Sequence, residues 1–295
     1  MFLAIDIGGT NIQFALITNE NEIKKHWEVK NPNLKEAKDF YDFIYQEASL
    51  EESIEGIGVS VPGVVEEDGL ISSKAASTLH CLYLSNIIEE LEARFNVKVT
   101  ALNDAKAAAL CELHLGAAKG STSSISFKIG TGIGGAITYK DEVLFGKDGD
   151  AGEFSYIPIL VDGKHTPLAV LASASGLAYQ YRLKTKKEVK EAKEVFDRYY
   201  EKEEDAIEVM NQWLMYIGLA LSQLTVIYNP DVICIGGGVT NDKNLLNQIK
   251  DAYQKYMTPM NEFANFTSEI VLCEYPTQSN LFGAMIYYKQ KNGLI

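Results

Sequence analysis

Two glycine-rich turns, each between two strand-like runs, contain the residues of this sequence with the clearest potential for chemistry. The first turn reads Asp-Ile-Gly-Gly-Thr at 6–10, and the second reads Gly-Thr-Gly-Ile-Gly-Gly at 130–135. Glycine lets the backbone approach a ligand closely and direct N–H groups at an anion such as phosphate. Either turn alone could simply close a β-hairpin. Two such turns in equivalent places of two similar halves favour two loops that bind one polyphosphate.

The second turn also contains the spacing Gly-x-Gly-x-x-Gly, which occurs in dinucleotide-binding proteins. In those proteins a helix follows the glycines, whereas here a second strand-like run follows them. The sequence therefore does not indicate a Rossmann dinucleotide site.

Two aspartates lie where they could act on a bound polyphosphate. Asp6 ends the first strand-like run. Because a carboxylate repels phosphate, we expect Asp6 to hold a hydrated Mg²⁺ that bridges to the phosphates.

Asp104 follows the strand-like run 97–102 and opens an Ala-rich helix, with Asn103 as the expected N-cap. A carboxylate there could accept the proton of an alcohol that attacks phosphorus. The alternative is that Asn103 and Asp104 only cap the helix.

Two further segments could contact a ligand. A strand-like run within 231–239 ends in three consecutive glycines, 236–238. They would leave a flat backbone surface for an adenine or a ribose, or would only allow tight packing between helix and strand. Glu153 lies in the Gly-rich turn 149–156, where its carboxylate could accept hydrogen bonds from two sugar hydroxyls. The alternative is an ordinary surface glutamate.

The composition disfavours several other classes of protein. The 295 residues carry a formal net charge of −13 without a Lys/Arg-rich block, so nucleic acid is not an expected partner. The four cysteines are scattered and form no Cys-x-x-Cys, which indicates neither a disulfide framework nor a metal site. The start of the sequence has no signal-peptide pattern, and the longest apolar stretch, 213–228, is short for a membrane span. We therefore expect a cytoplasmic protein without a membrane partner.

Hydrophobic periodicity predicts strands and helices in an arrangement that repeats in the second half of the chain. Strands are predicted at 2–6, 12–18, 23–30, 54–61, 97–102, 124–130, 134–140, 142–146, 231–239 and 269–273. Helices are predicted at 34–49, 87–95, 104–116, 206–228, 243–257 and 279–290. The stretch 184–208 reads as a charged helical region whose charges face solvent. The repeated strand–glycine turn–strand unit indicates two duplicated α/β halves that face each other.

In this order, the segments resemble the motifs of ROK-family sugar kinases, of the actin/hexokinase-like ATPase superfamily, over essentially the whole chain. The segments that resemble family motifs in the first half are DIGGTNI (6–12, first phosphate motif), GVSVPGVV (58–65, the turn that reaches the sugar) and LNDAKAAAL (102–110, catalytic base). Those in the second half are IGTGIGGAI (129–137, second phosphate motif), GDAGEFSY (149–156, the Glu-x-Gly-His region) and NPDVICIGGGV (229–239, adenosine motif).

The resemblance implies a two-domain α/β fold and a phosphotransfer reaction. The expected fold has two similar actin/ribonuclease-H-like domains, with mixed sheets flanked by helices and the active site in the interdomain cleft. The expected domains are residues 1–115 with 279–295, and residues 116–278. The implied reaction transfers the γ-phosphate of ATP to a hydroxyl of a hexose, with Mg²⁺ as a cofactor. Family members are often homodimers.

The resemblance also implies roles for individual residues. Asp104 is the implied general base, and Asp6 is implied near Mg²⁺, through water. The implied sugar contacts are Gly63, Asn103, Asp104, Glu153 and Tyr156. The implied ATP contacts are Gly8, Gly9, Thr10, Asn11, Gly130, Thr131, Gly132, Gly236, Gly237 and Gly238.

The chain departs from the family pattern in its sugar and metal positions. Tyr156 stands where members usually carry a histidine, Leu171 about where they carry a second glutamate, and Asn11 where they carry a basic residue. The stretch 157–176 has no cysteine, so we expect no structural zinc. Glucose or N-acetylmannosamine is the expected substrate, with other hexoses or β-glucosides as alternatives. Because two sugar-contact positions differ, a catalytically silent sugar-binding sensor of the same fold is the alternative function.

Overall fold

The computed structural model describes residues 1–48, 53–74, 76–242, 244–275 and 277–295, and for Asn241 only the backbone. The chain forms two compact units, each composed of segments that are distant in sequence. The first comprises Met1–Gly116, Asp141–Ala151 and Thr277–Ile295, and the second comprises Ala117–Lys140 and Gly152–Pro276. Residues 141–151, which the sequence-based boundaries place in the second domain, group by their contacts with the first unit.

The first unit is built on a five-stranded mixed sheet. Its strands are β1 (Phe2–Ile7), β2 (Asn11–Ile17), β3 (Ile23–Lys30), β4 (Ile57–Val61) and β5 (Val99–Asn103). They lie in the order β3-β2-β1-β4-β5. The pairs β1–β2 and β2–β3 are antiparallel, whereas the pairs β1–β4 and β4–β5 are parallel. The helices of this unit are α1 (Ala37–Ala48), α2 (Ile87–Phe95), α3 (Asp104–His114) and α9 (Ser279–Lys291).

Strand β1 separates two apolar layers because its side chains alternate between the faces of the sheet. Leu3 and Ile5 pack with residues of α1 and α2, whereas Phe2 and Ala4 pack with residues of α9. Asp6 is the next side chain on the α9 face. The alternation along β1 therefore brings the Asp6 carboxylate towards α9.

The second five-stranded sheet repeats this arrangement. Its strands are β6 (Ser123–Ile129), β7 (Ile133–Tyr139), β8 (Glu142–Val143), β11 (Val232–Gly236) and β12 (Glu269–Leu272). Their order is β8-β7-β6-β11-β12, with β6 antiparallel to β7 and parallel to β11, which is parallel to β12. A glycine turn thus joins the antiparallel pair at the centre of each sheet. The predicted fold class, two similar α/β halves with mixed sheets, is confirmed.

Besides β6, β7, β11 and β12, the described residues of the second unit form a hairpin and five α-helices. The hairpin strands are β9 (Pro158–Val161) and β10 (Lys164–Pro167). The helices are α4 (Leu168–Ala172), α5 (Ala174–Thr185), α6 (Ala192–Tyr200), α7 (Glu204–Tyr228) and α8 (Leu245–Met260). The β9–β10 hairpin lies in the stretch 157–176, for which the sequence predicted no strands.

The predicted charged helical region 184–208 is only partly helical and is interrupted twice. Helix α5 ends at Thr185, where the next residue, Lys186, adopts a left-handed conformation with φ of 60°. Helix α6 begins only at Ala192, after Glu191, which forms a capping box with Glu194. The charged residues are therefore divided among α5, a connecting segment, α6 and the start of α7.

Most other predicted elements agree with the structure to within a few residues, but β8 is shorter than the predicted strand 142–146. The last residue of the predicted helix 34–49 and the first residue of the predicted helix 243–257 lie outside the described residues. In the described part of the chain, none of the helices combines the length and the apolar character needed to cross a membrane.

Candidate functional site

The Asp6 carboxylate is oriented by two hydrogen bonds to the same oxygen. Ser60 Oγ of β4 donates to Asp6 Oδ1 at 2.8 Å, and Asn280 Nδ2 at the start of α9 donates to it at 3.1 Å. Sequence reasoning missed both partners. A polar residue in the middle of the buried strand β4 is a signal that could have indicated Ser60, whereas nothing in the sequence connects Asn280 with Asp6.

The first glycine turn joins β1 to β2 and is tied down through its carbonyl groups. Asn31 Nδ2 donates to the Gly8 carbonyl at 2.8 Å, and Thr78 Oγ1 donates to the Gly9 carbonyl at 2.7 Å. A Cβ at Gly8 would lie 2.7 Å from the carbonyl oxygen of Asn11, so the turn excludes a side chain there. The turn therefore requires glycine at Gly8 for its own geometry, whatever it binds.

The two side chains that continue this turn differ in their surroundings. Thr10 is exposed, and its carbonyl accepts a hydrogen bond from the Asn31 backbone. Asn11 Nδ2 donates to Glu28 Oε1 on β3 at 3.1 Å. The ATP contacts expected for Thr10 and Asn11 stay predictions.

Asn103 joins the start of α3 to the turn after β4. Its side-chain oxygen accepts hydrogen bonds from the backbone N–H groups of Ala105 and Lys106, at 2.9 and 3.2 Å, which makes it the N-cap of α3. Its Nδ2 donates to the Gly63 carbonyl at 2.9 Å. Gly63 has a φ of 95°, a conformation that favours glycine. The structure thus brings together Gly63, Asn103 and Asp104, and the capping interpretation of Asn103 is correct.

Asp104 is the first residue of α3 and is only partly buried. Its Oδ1 accepts a hydrogen bond from the Ala105 backbone at 2.9 Å. A solvent-accessible carboxylate in this position can act as a proton acceptor for a bound hydroxyl.

Asp6 and the Asn103–Asp104 pair lie at the same edge of the first sheet. Asp6 pairs with Ser60, and Ser60 pairs with Leu102, so these residues form one row across β1, β4 and β5. Two strand spacings put the backbones of Asp6 and Leu102 about 10 Å apart. This edge contains the carboxyl ends of the parallel strands, where ligands bind in open α/β sheets.

The second glycine turn, between β6 and β7, leaves the Gly130 and Gly132 positions open. Apart from the glycine itself and its two chain neighbours, no described atom lies within 4 Å of a Cβ built on Gly130. A Cβ built on Gly132 has one such neighbour among the described atoms, Ser155 Oγ at 3.9 Å. By contrast, a Cβ on Gly135 would lie 2.1 Å from the Phe154 ring. Packing thus explains glycine at position 135, whereas the open side of the turn can receive a ligand.

The three glycines at the end of β11, Gly236 to Gly238, support different interpretations of the sequence. A Cβ on Gly237 would lie 2.1 Å from the Ile129 carbonyl oxygen, and the φ of Gly237 is 99°, so tight packing explains this glycine. Gly236 is close to Cys273 Sγ, at 3.0 Å from its Cβ position. At Gly238 the Cβ position has no neighbour within 4 Å among the described atoms. Of the three, Gly238 presents the open surface.

A pocket of about 1010 Å³ in the second unit connects the second glycine turn with Gly238. The pocket is lined by Gly130, Thr131, Ala174, Glu191, Ala192, Lys193, Phe196, Asp197, Tyr200, Gly238, Val239, Asp242 and Asn244. Its size is that of a site for a small molecule or a cofactor. The structure thus assembles Gly130, Thr131 and Gly238 around one pocket, with one face of α6 as a wall that sequence reasoning missed.

Glu203 anchors this wall to α5 and to the segment before α6. Its Oε1 accepts hydrogen bonds from Tyr181 Oη and Lys187 Nζ, both at 2.6 Å, and its Oε2 accepts one from Arg198 at 3.2 Å. The hydrogen bonds from Lys187, Tyr181 and Arg198 hold the pKa of Glu203 at about 2. Glu203 therefore stays ionised and fixes the C-terminal end of α6.

Glu153 precedes a short 3₁₀ turn, Phe154–Tyr156, that packs against the second glycine turn, and Tyr156 is the last residue of this turn. Phe154 packs on Gly135, and Ser155 Oγ donates a hydrogen bond to the Ile133 carbonyl. Glu153 is partly buried, whereas the Tyr156 side chain is 75% exposed. The sugar contacts expected for Glu153 and Tyr156 stay predictions.

The residues that could hold a metal ion are few in the described ranges. No group of three or more His, Cys, Asp or Glu side chains with metal-binding geometry occurs among the described residues. Asp6 fits an Mg²⁺ ion that takes most of its ligands from water and phosphate, because Mg²⁺ is commonly bound by one or two carboxylates. The expected absence of structural zinc stays a prediction.

Solved structures of sugar kinases share this duplicated α/β fold. The ROK hexokinase from Thermus thermophilus has a TM-score of 0.84 to this chain at 25% identity, and 99% of each chain is covered. A ROK family protein from Streptococcus pneumoniae TIGR4, solved in complex with sucrose, has a TM-score of 0.88 at 25% identity. That comparison covers 100% of this chain and 99% of the other.

Sequence comparison assigns the family. The model of the ROK family matches residues 2–291, and the chain therefore belongs to the ROK family. The glucokinase of Halalkalibacterium halodurans is 30% identical in an alignment that covers 88% of this chain and 86% of the glucokinase. The resemblance inferred from the motifs is confirmed.

Proposed function

We propose that this chain is an ATP-dependent sugar kinase that transfers the γ-phosphate of ATP to a hydroxyl of a hexose. The observation that supports the proposal most is the position of Asp104. It is a partly exposed carboxylate in the first turn of α3, next to a cap that also binds the Gly63 carbonyl. A kinase needs one such carboxylate near the acceptor hydroxyl, and positioning with charge stabilisation supplies the rest of the rate enhancement.

In this proposal Asp104 accepts the proton of the attacking sugar hydroxyl. Gly63 and Asn103 bind the sugar beside Asp104, and by the family resemblance Glu153 and Tyr156 are further sugar contacts. Because Asn103 holds both the Gly63 turn and the start of α3, it fixes the distance between the bound sugar and the base. Such fixed placement lowers the entropic cost of bringing the reacting atoms together.

The glycine turns bind the phosphates of ATP in this proposal. Backbone N–H groups of Gly9, Thr10, Thr131 and Gly132 are the proposed donors, with Asn11 beside the first turn. The N–H groups of Gly8 and Gly130 already donate to the carbonyls of Asn11 and Gly132, so these two glycines are proposed contacts because they carry no side chain that would keep the phosphates away. Gly236, Gly237 and Gly238 are the proposed contacts of the adenosine, with Gly238 as the open surface of the three. Asp6 would hold Mg²⁺ through water, and the ion would neutralise phosphate charge during transfer.

The proposed substrate is glucose or N-acetylmannosamine, with other hexoses or β-glucosides as alternatives. Similarity to the glucokinase of Halalkalibacterium halodurans supports glucose. The departures at Tyr156 and Leu171 make a sugar panel necessary. We also propose that the protein is a cytoplasmic homodimer, on the basis of the family resemblance, and size-exclusion chromatography with light scattering tests the oligomeric state.

The proposal is tested by ADP release with ATP, Mg²⁺ and a panel of sugars. We expect wild-type turnover with at least one hexose. We expect Asp104→Asn to fold normally and to lose most of kcat, roughly 100-fold or more, because general base catalysis contributes at least this factor. Asp39→Asn is the matched control, because Asp39 is also an aspartate in the first helical turn, at the start of α1.

The alternative function, a catalytically silent sugar sensor, makes a different prediction in the same experiment. A sensor would bind sugar without any sugar-dependent release of ADP. Sugar-dependent turnover that is equal in wild type and Asp104→Asn would instead leave the kinase assignment intact and refute Asp104 as the base.

A further inference from the structure

One face of α6 lines the pocket beside the second glycine turn. The pocket-lining residues of α6 are Ala192, Lys193, Phe196, Asp197 and Tyr200, a spacing that repeats once per helical turn. The sequence predicted that the charges of this region face solvent. Lys193 and Asp197 are exposed, as expected, and they also line the pocket, where their charges are available to a ligand.

The pocket has an apolar side that suits a flat ring. Ala192, Phe196 and Val239 line it and are each 8% exposed, so their apolar atoms form packed walls rather than mobile surface. Aromatic and aliphatic side chains of this kind bind a planar base by burying its two faces. The phosphates of a nucleotide would lie elsewhere, at the open turn of Gly130 and Thr131.

A pair of hydrogen-bonded side chains closes another part of the pocket. Tyr200 Oη of α6 donates a hydrogen bond to Asp242 Oδ2, and the Asn244 backbone N–H donates to Asp242 Oδ1 at 2.8 Å. Partial desolvation and the hydrogen bond to Asp242 raise the pKa of Tyr200 to about 12. The Tyr200 hydroxyl therefore keeps its proton near neutral pH and acts as the donor.

The Tyr200 ring is itself held in place from the α8 side. Tyr199 and Tyr200 are in edge-to-face contact, with ring centroids 5.2 Å apart, and Gln248 Nε2 donates to Tyr199 Oη at 3.0 Å. Asp242 thus has a fixed orientation before any ligand binds. Each carboxylate oxygen can accept more than one hydrogen bond, so Asp242 keeps acceptor capacity towards the pocket.

Asp242 lies some distance along the chain from the open glycine, Gly238. The 3₁₀ turn Gly238–Asn241 leads from the open glycine to Asp242. At about 2 Å per residue in a 3₁₀ turn, Asp242 lies about 8 Å beyond Gly238. Because a carboxylate repels phosphate, a nucleotide in this pocket has its phosphates at Gly130 and its nucleoside at Asp242.

We propose that Asp242, oriented by Tyr200, determines the nucleotide specificity of this pocket by accepting a hydrogen bond from a neutral donor of the nucleoside. The donor is the amino group of adenine or the ribose 2′-hydroxyl. The inference rests on the proposed function, because it takes ATP as the ligand. Asp242 is a specificity-determining residue, and Tyr200 is a positioning residue that acts through it.

Binding measurements without sugar test this assignment independently of catalysis. Calorimetric Kd values are determined for ATP, ITP and 2′-deoxy-ATP with wild type and Asp242→Ala. ITP replaces the adenine amino group with a carbonyl, and 2′-deoxy-ATP lacks the ribose 2′-hydroxyl. We expect wild type to prefer ATP over one of the two analogues by about tenfold, the size of one hydrogen bond to a charged group. Asp242→Ala should reduce this preference to about onefold to twofold.

Asp197→Ala is the matched control, because it removes another carboxylate from the same wall and changes the net charge equally. We expect it to shift all three Kd values together without changing their ratios. Tyr200→Phe retains the carboxylate and should weaken the preference for ATP by an intermediate factor. It also keeps the test decisive if Asp242→Ala does not fold.

The outcomes separate the inference from the proposed function. A loss of preference in the ITP arm supports recognition of the base, and a loss in the 2′-deoxy-ATP arm supports recognition of the ribose. Unchanged ratios in both Asp242→Ala and Tyr200→Phe, with ATP still bound, would overturn the inference and leave the kinase assignment intact. A wild type that binds no ATP would overturn both.

Discussion

The side-chain nitrogen of Asn103 lies 2.9 Å from the carbonyl oxygen of Gly63, and the oxygen of the same amide caps α3. One side chain therefore fixes both the turn after β4 and the helix that begins with Asp104. The amide is 7% exposed, so each of its hydrogen bonds replaces one that water would otherwise provide. A variant of Asn103 that keeps one of these hydrogen bonds and loses the other therefore distinguishes the effect of the helix cap from the effect of the bond to the Gly63 turn.

Two substitutions at Asn103 should affect the free energy of unfolding and the KM for sugar differently. Asn103→Ala removes the cap and leaves buried groups unpaired, so we expect a loss of about 1–3 kcal/mol in the free energy of unfolding. Asn103→Asp keeps a capping oxygen but cannot donate to the Gly63 carbonyl. We expect Asn103→Asp to retain most of the stability and to raise the KM for sugar about tenfold or more. Urea unfolding and steady-state kinetics measure the two effects, and equal stability losses in both variants would contradict the division.

Alanine at neighbouring glycines should have opposite effects on folding and binding. In Gly237→Ala the new Cβ would lie 2.1 Å from a backbone oxygen at a φ of 99°, so we expect a loss of about 2–3 kcal/mol or more. In Gly238→Ala the new Cβ meets no described atom within 4 Å, so we expect near wild-type thermal stability. The methyl group would instead occupy the pocket surface and raise the Kd for ATP. Thermal melts and calorimetry test this pair, and a stable Gly237→Ala variant would refute the packing explanation.

Acid should weaken the second unit through Glu203. The pKa of a glutamate in an unfolded chain is about 4.3. The hydrogen bonds from Lys187, Tyr181 and Arg198 hold the pKa of folded Glu203 at about 2. Because the folded pKa is the lower one, Glu203 stabilises the fold above about pH 4.3, and this contribution is lost as the pH falls towards 2. We expect Glu203→Gln to lower the Tm at neutral pH and to flatten its decrease under acid.

The control for this experiment is Glu208→Gln, because Glu208 also pairs with a lysine, Lys184, but its side chain is 71% exposed. An exposed pair of this kind contributes little to stability. We therefore expect Glu208→Gln to follow the wild-type curve of Tm against pH. A Glu203→Gln curve that runs parallel to the wild-type curve would rule out Glu203 as the source of the acid dependence.

Local signals allowed much of the fold to be predicted. The alternation of apolar residues indicated β1 and β2, and the sequence Asn103-Asp104 indicated the start of α3, because caps and strand periods act over a few residues. The pairing of Asp6 with Asn280 could not be predicted, since the two are 274 positions apart and their contact depends on how α9 packs on β1. The different roles of Gly237 and Gly238 could not be predicted either, because they depend on which atoms of other segments lie next to each glycine.

The role of α6 was missed for a related reason. Its charged residues match a solvent-facing helix, and the pattern does not reveal that Lys193 and Asp197 border a pocket. The pocket wall is formed by α6 together with the 3₁₀ turn after β11, so it exists only once both segments have folded. Pocket-lining residues that belong to a different element from any recognisable motif can therefore be identified only from the structure.

The packing of α9 on β1 has a consequence for the order in which the chain can fold on the ribosome. Phe2 and Ala4 share an apolar cluster with Leu281 and Met285, so one face of the first strand stays uncovered until the last helix has been synthesised. A nascent chain would expose this face to chaperones and to other chains while the second unit, whose segments are all made earlier, folds first. The first unit, with Asp6 and its Asn280 partner, would then be completed only after α9 has been synthesised.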